Sequence, residues 1–288
     1  MQDTNPSGKL VDKIIEHAEE LPPFPRIVQK LMPLIQSMAP VKEIEAVIQY
    51  DPAIAARVIA LSRSPLYARK YSVTSLRDAI VALGNKELIK VVLAACSARY
   101  FQGTPTGYDL REGELWEHSV SVAIMTDILT EHIKFKNAVT AYTAALLHDI
   151  GKTILHFHVK DEFENILTMV KKERINFLDA ERRVLGIDHQ QLGALIAKKW
   201  NLPDVIVAVV RFHHQPEKVV PKFRQITKLV HVANALVTSM GIGCGVDGLT
   251  QPFAETTLTE LKISPKLSEK LLAEFGARFH DLKEFLGK

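Results

Sequence analysis

The chain has 288 residues, with 36 Lys+Arg against 33 Asp+Glu and a formal net charge of +3. With 47% hydrophobic and 24% charged residues, this composition excludes wholesale disorder and the concentrated basic face of an electrostatic nucleic-acid binder. Two cysteines, Cys96 and Cys244, a polar stretch at residues 1–9 and an apolar run that stops at residue 96 argue against a disulfide scaffold, a secretory signal and a membrane span, so a soluble cytoplasmic protein is expected.

The predicted elements are helices throughout. Asp51-Pro52 has the form of an N-cap followed by proline at the first helical position, and Ile54, Ala55, Val58, Ile59 and Leu61 continue it as one apolar face. Gly84-Asn85 stops one helix and starts the next, which carries Leu88, Val91, Val92 and Ala95. Turn formers crowd residues 102–109 and place a boundary near 102–113, dividing the chain into 1–107 and 108–288. Beyond it come a helix bearing His118, an apolar helix over 138–147 that runs into His148-Asp149, and a capping box of Asp188 with Gln191 leading into Leu192, Leu195, Ile196 and Trp200. The helix after Pro203 ends at His213-His214, and His231 and Asn234 share a later helix. Glycines 241, 243, 245 and 248 suggest a phosphate loop, but no strand precedes them and no Lys-Ser/Thr follows, so an inter-helix loop is the better reading. Ser264-Pro265 begins the last helix, with Leu267, Leu271 and Leu272. The fold class is all-α.

Six of the eleven histidines fall at informative places: His118, His148, His189, His213, His214 and His231. Imidazoles and carboxylates suit first-row divalent metals, and one carboxylate can bridge two ions. Each histidine alone is better explained as a helix cap or a partly buried polar group; four helices presenting His, His-Asp, His and His-His in order leave a metal site and ordinary packing evenly matched. His132, His156, His158 and His280 have no such pattern.

The set His118, His148-Asp149-Ile-Gly-Lys152, His189 and His213-His214 resembles the metal-dependent phosphohydrolase superfamily named for its His-Asp pair, and the HDIGK string at 148–152 is similar to that of the HD-GYP cyclic-di-GMP phosphodiesterases. Leu21-Pro-Pro-Phe-Pro25, Tyr50-Asp-Pro-Ala53, Arg63-Ser64 and Ala79-Ile-Val-Ala-Leu-Gly84 narrow the resemblance to the HDOD domain, an HD-related output domain of bacterial signalling proteins, over roughly residues 15–240. The resemblance implies a multi-helix fold in which 1–107 is the N-terminal helical half of the HDOD region and 108–288 the HD-type metal-binding half with C-terminal helices. It also implies a dinuclear Fe or Mn site. His118, His148 and Asp149 would hold one ion with Asn234 as a weak fourth contact, and Asp149 would bridge to a second ion on His189 and His213. His214 would face a third site or stand behind the ligands. Asp149 and Lys152 would be the catalytic pair, Lys152 facing an anionic oxygen. Two departures matter: the superfamily's last Asp is Asn234 here, and the glycine-tyrosine-proline signature is absent after His213-His-Gln-Pro-Glu217.

Two functions follow from the resemblance. One is a signal-transduction module with a metal-bound HD core, acting through a signalling protein partner or a phosphate-containing small ligand. The other is an active metal-dependent phosphohydrolase acting on a nucleotide or cyclic dinucleotide. The HDOD half, Asn234 and the missing signature favour the module. No membrane partner is expected. Lys171-Lys172, Arg182-Arg183 and Lys198-Lys199 are short pairs offset by Glu173 and Glu181, which favours solvated helix faces over nucleic-acid binding.

Overall fold

The computed structural model describes residues 6–63, 73–101, 106–243, 245–248 and 255–286. Among them are fourteen α-helices and three short 3-10 turns and no strand, so the protein is all-α. The chain divides into two compact units, one of residues 24–98 and 269–288, the other of residues 1–23 and 99–268.

The first of these units contains α2 (Arg26–Gln36), α3 (Val41–Ile48), α4 (Pro52–Ser62) and α5 (Leu76–Ser97). Asp51 caps α4 as expected, accepting from the Ile54 N–H at 3.1 Å ahead of Pro52. Ser75 and Asp78 form a capping box on α5. Gly84 has φ 71° and ψ 166°, a positive-φ conformation that only glycine adopts freely, so α5 is two helices joined at a kink. The Arg63 guanidinium donates twice to the Val73 carbonyl, at 3.1 and 2.9 Å. Its neighbour Ser64 lies outside the described residues. The buried residues of this unit are almost wholly apolar, with Ile44, Ile48, Val58, Leu88 and Val92 fully enclosed.

The other unit contains α1 (Pro6–Glu19), α6 (Glu114–His132), α7 (Ala138–Leu146), α8 (Lys152–Glu173), α9 (Phe177–Leu185), α10 (His189–Lys199), α11 (Asp204–Phe212), α12 (Pro221–Ser239) and α13 (Glu255–Glu260). α14 (Pro265–Leu286) runs on from it, begun by Ser264, whose Oγ accepts from Leu267 N–H. α6 is buried along nearly its whole length from Leu115 to Thr130, as a helix with no polar face must be. α7 and α12 pack against it, and α11 packs on α7, α10 and α12. Asp188 and Gln191 form the predicted capping box at the start of α10. This mutual packing brings the last turns of α7 and α11 and the first turn of α10 to the early part of α6 and the interior of α12. No helix among the described residues is long and apolar enough to cross a membrane.

Candidate metal centre

Four helix ends and two helix interiors supply the side chains. His118 lies one turn inside α6 and Asn234 inside α12. His148 and Asp149 follow the end of α7, and Lys152 opens α8. His189 is the first residue of α10, and His213 and His214 follow the end of α11. The tight meeting of α8 with α10 has a sequence cause in Gly151. A Cβ there would stand 2.0 Å from the His189 carbonyl oxygen and 2.7 Å from the Gly193 nitrogen, closer than real atoms approach. The glycine of the HDIGK string therefore sets the distance between Asp149 and His189.

The imidazoles converge on one carboxylate. Asp149 Oδ2 lies 3.2 Å from His148 Nε2 and 3.9 Å from His118 Nε2. Its Oδ1 lies 3.5 Å from His213 Nε2 and 3.7 Å from His189 Nε2. The ligand atoms fall into two sets sharing Asp149: His118, His148 and Asp149, and Asp149, His189, His213 and His214. His118 Nε2 is also 2.9 Å from Asn234 Oδ1. The structure thus brings together all seven residues that the sequence nominates as ligands, together with Lys152.

The opposite nitrogens are tied down. Nδ1 of His118 donates to the Ile242 carbonyl at 2.9 Å, that of His148 to the Ala145 carbonyl at 2.6 Å, and that of His213 to the Val210 carbonyl at 2.9 Å. His189 Nδ1 donates to Glu181 Oε2 at 2.8 Å. These partners accept, so each Nδ1 carries a proton, and in the neutral ring each Nε2 turns a lone pair towards Asp149. Nε2 of His148, His189, His213 and His214, with Asp149 Oδ1, are buried without a hydrogen-bond partner. A set of unpartnered acceptors costs free energy unless a cation satisfies them. Two donors about 2.1 Å from a common ion are about 3.0 Å apart at a right angle and about 3.4 Å at the tetrahedral angle. The spacings of 2.9, 3.2 and 3.5 Å lie close to that range, and those of 3.7 and 3.9 Å are somewhat longer. The donor set fits a divalent metal.

Electrostatics point the same way. Burial, then the neighbouring His148 ring, lowers His118 to about 4, and burial lowers His213 to about 3. Burial and then His213 and His189 hold His214 well below its usual value. These rings are neutral near pH 7, the form that ligates. Burial pushes His189 down, but the Glu181 carboxylate outweighs it and raises the ring. Burial likewise works to raise Asp149, yet the His148 ring and the Lys152 ammonium hold it well below the usual carboxylate range. Lys152 Nζ donates to Asp149 Oδ2 and Asp247 Oδ2, each at 2.7 Å. Desolvation lowers this ammonium, and the two carboxylates outweigh it and hold it above its usual value.

Sequence reasoning missed four participants. Glu181 orients His189 and is in turn held by the Tyr108 hydroxyl, which donates to its Oε1 at 2.5 Å. Gln190 Oε1 accepts from the His214 backbone N–H at 3.0 Å. Asp247 pairs with Lys152. A carboxylate or amide outside a motif gives no periodic signal, and in Glu181-Arg-Arg the charges look like an ordinary solvated face. His231 does approach the site, donating from Nδ1 to the His213 carbonyl at 2.8 Å. The glycine-rich stretch does more than connect helices. Ile242 holds His118, and a Cβ on Gly243 would lie 2.4 Å from the Glu114 carbonyl oxygen, because the loop packs directly on α6. Of the histidines without a motif, His156 and His158 lie together on α8, and the His280 side chain is outside the described residues.

Comparison with known proteins agrees with this fold. A Geobacter sulfurreducens HDOD domain protein of unknown function, known from its crystal structure, superposes with a TM-score of 0.73 and 28% identity, covering 96% of this chain and 99% of that one. An uncharacterised Treponema pallidum protein is 22% identical over 234 residues, 80% of this chain and 44% of the relative. Ribonuclease Y of Aquifex aeolicus is 29% identical over 119 residues, 41% of this chain and 16% of the enzyme. The chain therefore spans less than half the length of either relative. The HDOD domain model matches residues 21–216, more than half of the chain, and the protein belongs to the HDOD domain family.

Proposed function

We propose that this protein is a bacterial signal-transduction module whose HD core holds divalent metal, as a dinuclear Fe or Mn centre. The observation that carries the reading is the convergence of unpartnered Nε2 atoms on the two oxygens of Asp149. His118, His148, Asp149 and Asn234 would hold one ion, and Asp149, His189, His213 and His214 the other. Imidazole nitrogen with a bridging carboxylate favours Fe or Mn over Ca²⁺, which prefers an all-oxygen shell. When bound, such ions supply Lewis-acid polarisation of a phosphoryl oxygen. The residues themselves do the rest. The Nδ1 hydrogen bonds fix ring orientation, and the near-complete burial of His148, Asp149, His189 and His213 keeps bulk water away. Asn234 and the engagement of Lys152 by two carboxylates favour a regulatory site over a catalytic one. Its output would be read by a signalling protein partner or by a phosphate-containing small ligand.

A second reading has its own support. The donor set includes His, His-Asp, His and His-His in full, and ribonuclease Y cleaves RNA by name, so a metal-dependent phosphohydrolase acting on a nucleotide or cyclic dinucleotide is the alternative. Elemental analysis of the purified protein, followed by turnover assays on phosphodiesters and phosphomonoesters with added Mn²⁺ or Fe²⁺, separates the two. The module predicts bound metal and no turnover. Protein that is metal-free and refuses both ions would overturn the metal centre, and turnover would establish the alternative.

A further inference from the structure

Asn234 supplies a carbonyl oxygen where the superfamily has a negative charge, which leaves Asp149 as the one carboxylate among the proposed ligands. Asp149 is itself compromised, because the Lys152 ammonium sits 2.7 Å from its Oδ2. A single ammonium on a single buried carboxylate would cancel the charge that attracts cations. Asp247 changes that balance. Its Oδ2 takes the same ammonium at 2.7 Å, so the triad of two carboxylates and one lysine carries a net charge of about −1. All three residues are buried, at 1%, 5% and 3% exposure for Asp149, Lys152 and Asp247.

Asp247 is delivered there by a built backbone. The Ile242 carbonyl accepts from His118, and the Val246 N–H donates to the Tyr108 carbonyl at 3.2 Å. Gly243 and Gly245 allow this: a Cβ on either would lie 2.4 Å from a backbone oxygen, of Glu114 and Tyr108 respectively. Asp247 also lines the same small opening as His118, Lys152, His214 and Asn234. We infer that Asp247 is a positioning residue that restores the negative charge lost at Asn234, sharing Lys152 so that the ammonium does not by itself offset the charge Asp149 presents to cations. The inference rests on the metal-centre reading and adds a residue from outside the HD motif to it.

The test is calorimetric titration of Mn²⁺ into the metal-stripped full chain, with thermal melting as a check on folding. Asp247→Asn should weaken Mn²⁺ binding by about tenfold or more, and Asp247→Glu should restore most of it. Lys152→Met leaves both carboxylates uncompensated and should tighten binding. The double variant Asp247→Asn with Lys152→Met should return to within about threefold of wild type, because Asp149 no longer faces a cation. A purely structural role for Asp247 predicts the opposite, a double variant at least as weak as the single one. That result, or Lys152→Met weakening binding, overturns the inference even if Asp247→Asn alone does not fold. Wild-type protein that takes up no Mn²⁺ overturns the metal centre and this inference together, whereas equal affinities in all variants overturn this inference alone.

Discussion

Two groups of histidines occur in the unit of residues 1–23 and 99–268, and they are built differently. In the first, four rings have Nδ1 fixed by carbonyl or carboxylate acceptors and Nε2 aimed at Asp149. In the second, His17 of α1 meets His158 and Phe157 of α8 at ring-centroid distances of 6.0 and 5.1 Å, and His156 lies 3.7 Å from Phe157. Here the rings contact each other and an exposed phenylalanine, and no carboxylate stands between them in a convergent set among the described residues. Histidine proximity is common to both groups. What distinguishes the first is a shared anion and a fixed Nδ1 partner, which together suit imidazoles to ligation.

The comparison breaks most directly at Asp149. Asp149→Ala should remove at least one ion per chain, read by elemental analysis, while His158→Ala leaves metal content unchanged. Full occupancy in the Asp149 variant would mean that the shared anion is not the organising feature. Gly151→Ala tests the spacing. The added methyl meets the His189 carbonyl at 2.0 Å, so α10 must move away from Asp149. A loss of about 2–4 kcal/mol in unfolding free energy and at least tenfold in Mn²⁺ affinity is expected. Unchanged affinity would show that the two ligand sets do not depend on the contact of α8 with α10. Glu181→Gln tests the tautomer. Gln keeps an acceptor for His189 Nδ1 but removes the charge, and affinity should fall by about 10-fold within the 10–100-fold range of outer-shell changes. A titration indistinguishable from wild type would leave ring orientation to packing alone.

How legible this was from sequence depends on how local each feature is. The caps at Asp51 and Asp188, the stop at Gly84 and the start at Ser264-Pro265 are short-range chemistry, and the helices begin or break there. The candidate ligand histidines were legible because they sit at or within a turn of helix ends in an order that matches a family motif. Glu181, Tyr108, Gln190 and Asp247 were not, since their roles exist only once α9, the 106–108 turn, α10 and the glycine loop are packed together. The glycines at 243 and 245 carried the one usable signal. Their spacing suited an inter-helix loop better than a phosphate loop, and the structure shows why glycine is needed there: the backbone passes against the helix bearing His118 and the Tyr108 carbonyl.

The smallest expected effect sharpens the comparison from the other side, by asking the second group to respond to protons without responding to metal. Burial, followed by His17, His158 and Lys160, lowers His156 to about 4. In the unfolded chain its value is about 6.5. Above that pH the ring is neutral in both states and contributes no pH dependence. As pH falls from about 6.5 towards about 4, the unfolded state gains a proton that the folded state refuses, so stability declines over that window. Removing the ring should remove this part of the slope. The fall in Tm between pH 7 and pH 5 should therefore be smaller in His156→Leu than in wild type by about 3 °C. The ligand histidines contribute equally to both proteins and cancel in the difference, provided metal content is the same. Equal slopes would mean that His156 accepts its proton without penalty in the fold. A variant that also lost metal would join the two groups, and the distinction between a packed histidine cluster and a ligand set would no longer hold.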